Sequence, residues 1–462
     1  MNWIKHQKLT TGSDRMASYS IGKKLSYLLL FVSSLILLYT YYKAEIVHLG
    51  SASGIYYKYY AISIGGIFFW GIVLQLCERI RVNIVIIIFS IGTGLYLTEG
   101  ILRFTEWQKV DNVGARYAKK LDISFDSRSQ KEVVNDLIRE GVDAVPTVPS
   151  SSILKHQNLK GLVPLGGLSN RTTVNDNESG EYLIYESDRH GFNNPDEQWQ
   201  STPLGWLLLG DSFALGSSVQ PGNELAAKIR SITGRSTISL GLSGNGPLTE
   251  YASLIEYGES LKPEKVLWVY FEGNDLITDI QREQQNSVLL QYFEDGFTQD
   301  LINRQKKVDI ALDELIEIAR QKSDKPFQWL RLTNVRKLIN FDSFGQMGID
   351  PHVDASNPLF KKVLINAQMI VESWGGQLYF VYLPEHSRYT NSNIVHDDFR
   401  SKSDVTSLVN ELSIPVIDIH AEVFVKHPDP LSLFPLGQNG HYNVNGYEEV
   451  AEAILASIKD QR

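Results

Sequence analysis

Three long apolar runs, at about 25–42, 59–77 and 82–102, open the chain, and none carries the polar face of a globular helix. At 1.5 Å per residue each can cross a hydrocarbon core of roughly 30 Å. Residues 1–103 are therefore expected to form a membrane region with three transmembrane helices. No short apolar segment followed by a small-residue cleavage site marks a removable signal. Lys5, Lys8, Arg15, Lys23 and Lys24 precede the first run, and Arg79 and Arg81 fall in the tight second turn, which favours a cytoplasmic N-terminus. Arg103, Lys109, Arg116, Lys119 and Lys120 follow the third run and blur that asymmetry. Three spans then place the large remainder outside, giving a multi-pass cell-membrane protein with an extracytoplasmic domain. Glu99, near the end of the third run, is expected at the interface or against another helix, because a lipid-facing carboxylate is costly.

From 104 to 203 the pattern is mixed. An amphipathic helix is expected at 130–139, and the polar stretch 169–180 reads as loop. Asn170 and Asn177 open Asn-X-Ser/Thr sequons but read first as turn asparagines. The segment is expected to be an extracytoplasmic stalk and lead-in.

After 203 short apolar runs alternate with helical segments. Strands are expected at 206–209, 237–240, 266–271, 378–383 and 415–419, with helices at 224–232 and 248–261 and an amphipathic helix at the C-terminus. Continuous apolar strands alternating with helices predict a five-stranded parallel sheet in a three-layer α/β sandwich spanning 204–462. Reactive groups gather at the carboxyl ends of such strands. The stretch 276–354 is too long for a simple crossover. Val308, Leu312, Leu315 and Ala319 recur at helical spacing, and Phe327, Leu330, Asn334 and Leu338 do so less cleanly. A helical insertion covering the site is expected there.

Composition narrows the chemistry. A net charge of −9 and the lack of a basic stripe argue against a nucleic-acid partner. The single cysteine, Cys77, lies in an apolar stretch, which excludes a disulfide framework and a cysteine zinc site. The ten histidines show no HExxH spacing, and no GxxxxGK[ST] loop is present, so neither a metal nor another cofactor is expected.

Four segments carry candidate chemistry. The first strand of the sandwich runs into Gly210-Asp211-Ser212, which places a hydroxyl and an N–H at the sheet edge. The second leads to Gly241-Leu242-Ser243-Gly244-Asn245-Gly246, where glycine lets the backbone approach a ligand. The third ends in Glu272-Gly273-Asn274-Asp275, whose asparagine amide is a neutral donor suited to an oxyanion. Gly440-His441-Tyr442 opens the last helix. Each alone is as well read as a turn or cap.

In this order the four segments resemble the SGNH (GDSL-like) hydrolase and acyltransferase family over about 206–458. Ser187-Asp188-Arg189-His190-Gly191-Phe192-Asn193-Asn194-Pro195 is similar to a segment upstream of this domain in membrane-anchored bacterial members. The resemblance implies Ser212 as nucleophile and His441 as base. It also implies an oxyanion site formed by the Ser212 and Gly244 N–H groups and the Asn274 amide. It departs from the family at one point: Gln438 stands where an aspartate usually precedes the histidine by three residues. A dyad held by a backbone carbonyl or Gln438, a carboxylate reaching in from upstream with Asp429 the nearest, or a weak site all remain open. The expected function is esterase or O-acyltransferase chemistry on acetyl groups of extracytoplasmic glycans. A transferase would need a multispan partner or an external donor. The alternative is a non-catalytic glycan-binding or assembly component of surface-polysaccharide machinery.

Overall fold

The computed structural model describes residues 12–47, 53–105, 113–156, 159, 161–323, 332–339, 357–390 and 399–460. The chain divides into two compact units, Met1–Gln108 with Pro326–Ile349, and Lys109–Lys325 with Asp350–Arg462.

In the first unit three helices, Ile21–Ile46, Tyr56–Gln75 and Glu78–Phe104, are long and apolar enough to cross a membrane. They present side chains such as Phe68, Ile72 and Leu97 outward, each more than half exposed. The turn between the second and third helices is closed by Arg81, which donates to the carbonyls of Val73, Leu74 and Leu76 and pairs with Glu78 at 2.7 Å. A cation at a helix C-terminus satisfies carbonyls that have no partner further along the helix.

The second unit is an α/β sandwich around a five-stranded, all-parallel sheet in the order β5-β4-β6-β7-β8. These strands are β4 (Trp206–Gly210), β5 (Thr237–Ser239), β6 (Lys265–Phe271), β7 (Gln377–Leu383) and β8 (Val416–Asp418). Alternate residues of each strand serve opposite layers. Leu207, Leu209, Val266, Trp268 and Phe380 pack with Leu248, Phe360, Leu364 and Val405 of the helices on one face. Trp206, Leu208, Leu267, Val269 and Val381 pack with Ile229, Val450 and Ile454 of Leu225–Thr233 and Val444–Asp460 on the other. Both faces are buried, which is why these strands read as unbroken apolar runs.

The stretch expected as a stalk joins this same unit from Lys109 onward. It holds a mixed sheet in the order β1-β2-β3, built from β1 (Ala144–Pro146), β2 (Thr172–Val174) and β3 (Ile184–Glu186). The helix Gln130–Arg139 covers it through Val133 and Val134, starting from a capping box of Ser129 and Glu132. The motif 187–195 braces the sandwich. Buried Asp188 accepts from the N–H groups of His190 and Phe192, from Asn194 and from Trp199. Asn194 in turn bonds both backbone groups of Ser239 at the end of β5. Asn177, expected as a turn asparagine, bonds Asp126 O and Gly180 N.

The insertion divides. The helix Gln305–Ser323 buries Val308, Leu312 and Leu315 in the sandwich core, as its spacing predicts. The helix Thr333–Leu338 belongs to the first unit, so the second periodicity serves a different surface; Phe327 and Leu330 lie outside the described residues.

Candidate active site

β4 delivers its last residue, Gly210, to the sheet's carboxyl edge, and Asp211 caps the short helix that follows by accepting from Phe213 N at 2.8 Å. Ser212 is thereby the first helical residue. Its Oγ lies 2.6 Å from His441 Nε2, although the two are far apart in sequence. His441 stands just before the helix Val444–Asp460, and its ring packs against Phe213 with centroids 4.7 Å apart.

The other ring nitrogen, His441 Nδ1, lies 3.0 Å from Glu178 Oε2. The same oxygen accepts from the His441 backbone N–H at 2.8 Å and from the Ser218 hydroxyl. Neither residue expected to orient the imidazole does so. Gln438 turns its amide to Gly437 O at 3.0 Å. Asp429 precedes the turn Pro430–Leu433, taking Ser432 Oγ on its carbonyl. The carboxylate comes from the loop between β2 and β3, in the stretch 169–180 read as a polar loop.

Gly440 makes room for it. A Cβ there would stand 2.9 Å from Glu178 Cδ and closer still to Oε2, so the carboxylate would have to shift from its place on His441. Gly440→Ala is expected to keep the melting temperature within a few degrees while lowering turnover at least about tenfold, the range of a displaced orienting group. Calorimetry and steady-state kinetics on the same preparation check this.

Burial pushes the Glu178 carboxyl up, but the facing His441 charge and hydrogen bonds from His441 and Ser218 outweigh it and hold the group down at about 2. Burial likewise disfavours the His441 imidazolium, but the Glu178 carboxylate, helped by the charges of Asp176 and Asp211, outweighs that and raises the group to about 9. Asp176, Glu178 and His441 bring ligand-type atoms within 4.8 Å of one another. With Nε2 on Ser212 and Nδ1 on Glu178, however, both ring nitrogens already have hydrogen-bond partners.

Two further expected residues border the same edge. Gly244 has φ +76°, a left-handed conformation that favours glycine, and its carbonyl accepts from Arg282 at 3.1 Å. The backbone N–H groups of Ser212 and Gly244 find no acceptor among the described residues. Asn274 follows β6 and donates through Nδ2 to Asp211 Oδ2 at 3.2 Å, which ties it to the turn carrying Ser212. The edge thus holds a hydroxyl on a base, a carboxylate behind the base, and an asparagine amide tied to the turn that carries the hydroxyl.

Neither a family model nor a curated protein sequence matches the chain. Among solved structures it is similar to a G-D-S-L-family protein from Desulfitobacterium hafniense DCB-2, with 15% identity, 55% of this chain and 98% of that one covered, and a TM-score of 0.31. It is also similar to the lipase/acylhydrolase from Enterococcus faecalis, with 12% identity, 56% and 96% covered, and a TM-score of 0.32. An acetylxylan esterase from Geobacillus stearothermophilus shows 13% identity, 56% and 95% covered, and a TM-score of 0.31. These similarities are weak, and the chemistry of the site rests on its own geometry.

Proposed function

We propose that this chain is a membrane-anchored serine esterase or O-acyltransferase of the SGNH type, acting on acetyl esters of extracytoplasmic glycans. The observation that carries the reading is the line Glu178–His441–Ser212, with contacts of 3.0 and 2.6 Å.

In the first half-reaction His441 Nε2 takes the Ser212 hydroxyl proton as Oγ attacks the ester carbonyl carbon. The N–H groups of Ser212 and Gly244 and the Asn274 amide stabilise the resulting oxyanion, each donor contributing about 3 kcal/mol. His441 then returns the proton to the leaving alcohol oxygen as the C–O bond breaks, leaving acyl-Ser212. In the second half-reaction water or a sugar hydroxyl gives its proton to His441 and attacks the acyl carbon, and His441 passes that proton to Ser212 Oγ as the acyl–Oγ bond breaks, freeing the serine. Throughout, Glu178 accepts the Nδ1–H, keeping Nε2 the basic nitrogen. The non-catalytic alternative draws its support from the absent aspartate before the histidine; the Glu178 carboxylate 3.0 Å from His441 Nδ1 favours the catalytic reading. Acyl transfer would take its donor from a multispan membrane partner or an external thioester or ester. The charge distribution supports a cytoplasmic N-terminus with the sandwich outside.

Purified full-length protein in detergent should release acetate from acetylated xylan and hydrolyse 4-nitrophenyl acetate faster than the butyrate or octanoate. A well-folded preparation that cleaves no acetyl ester and transfers no acetyl group to oligosaccharide would sink the proposal.

The pH dependence has a definite sign. Because Glu178 stabilises the imidazolium, the neutral base becomes available only as pH rises, so kcat/KM should climb through neutrality, reach half its maximum near pH 9 and level off above it. In Glu178→Gln that limb should move to lower pH. A limb that stays in place in the variant would show that Glu178 does not set the histidine's basicity.

A further inference from the structure

Glu99 lies in the last turns of the apolar helix Glu78–Phe104, yet is only 1% exposed. Its Oε2 accepts the backbone N–H groups of Asn334 and Val335, at 3.0 Å each, and Oε1 lies 3.4 Å from Arg103 Nε. Asn334 and Val335 open the helix Thr333–Leu338, whose first N–H groups have no partner within the helix. A carboxylate at that end satisfies them and faces the positive end of the helix dipole. This resolves the cost of a carboxylate on an apolar helix without turning it to lipid.

The contact fixes which face of the short helix is inward. Asn334 and Val335 are buried, and Arg336 Nη2 reaches Tyr59 OH at 3.4 Å. Leu338 and Ile339, at its other end, are 47% and 58% exposed. They extend the outward apolar surface of a unit that already presents Leu97, Ile101 and Phe104 on the helix carrying Glu99. Basic residues followed by exposed aliphatic ones, on a helix pinned near the end of a membrane span, suit the headgroup–acyl boundary.

We propose that residues 333–339 form a fourth bilayer-contacting element, an interfacial segment pinned by Glu99 that places Leu338 and Ile339 among lipid acyl chains. The insertion leaves the α/β unit after Lys325 and rejoins it at Asp350. It is thus a membrane attachment of the α/β unit in its own right, separate from the polypeptide that follows Phe104. The proposal does not depend on ester chemistry.

The test uses full-length Cys77→Ser protein in phosphatidylcholine vesicles, spin-labelled at one cysteine introduced at 338, 339 or, as a control, 310. Ile310 is 56% exposed on the helix Gln305–Ser323 of the other unit. Labels at 338 and 339 should be relaxed by oxygen and shielded from a water-soluble nickel chelate, with an oxygen-to-nickel ratio several-fold above that at 310. Ratios equal to that at 310 would overturn the proposal. Adding Glu99→Gln or Glu99→Ala should raise nickel access at 338 and 339; unchanged ratios in both variants would overturn the pinning role of Glu99.

Discussion

Ser212→Ala is expected to lower turnover about 10⁶-fold, with His441→Ala costing about the same and the double variant little more, because the two residues act as one unit. The reason lies in their 2.6 Å contact: neither the hydroxyl nor the imidazole has a productive role without the other. Residual rate above the uncatalysed reaction should survive in all three variants, because the donors at Ser212 N, Gly244 and Asn274 remain. Single-turnover kinetics with 4-nitrophenyl acetate would measure the three losses. If the double variant instead lost the product of the single losses, Ser212 and His441 would be acting independently and not as nucleophile and base.

Glu178→Gln is expected to lower kcat about 10⁴-fold with little change in KM, the cost of losing the carboxylate from a serine triad. Glutamine keeps the length of the side chain and can still bond the His441 backbone N–H. However, it offers no charge to the imidazolium and can present an N–H donor to Nδ1, which favours the unproductive tautomer. Asp429→Asn and Gln438→Ala should leave kcat within a factor of about three, the scale expected of a surface change that removes no contact to the reacting groups. Equal losses in Glu178→Gln and Asp429→Asn would return the role to the loop preceding the histidine.

These two expectations differ in how far the sequence foretold them. Ser212, Gly244, Asn274 and His441 were legible because each sits just past a strand or before the last helix, and the strands announce themselves as apolar runs. The runs at 206–209, 266–271 and 378–383 became Trp206–Gly210, Lys265–Phe271 and Gln377–Leu383, shifted by a residue at most. Sheet topology then puts their following residues on one edge. Glu178 was illegible for the opposite reason. Its loop lies between three-residue strands too short to show a period, and its bond to His441 is a side-chain contact across the whole domain. Gly440 was in plain view, but it shows only that something needs the space. The spacing of Asn334 and Leu338 likewise marked a helix, but not that Asn334 is buried in the first unit while Leu338 stays exposed.

The most direct measurement is fluorophosphonate labelling of the full-length protein in detergent, with the adduct located by mass spectrometry. The Glu178–His441–Ser212 assignment predicts stoichiometric modification at Ser212, abolished in Ser212→Ala and His441→Ala and slowed by orders of magnitude in Glu178→Gln. Modification that proceeds equally well without Glu178, or no modification of a folded protein, would contradict it.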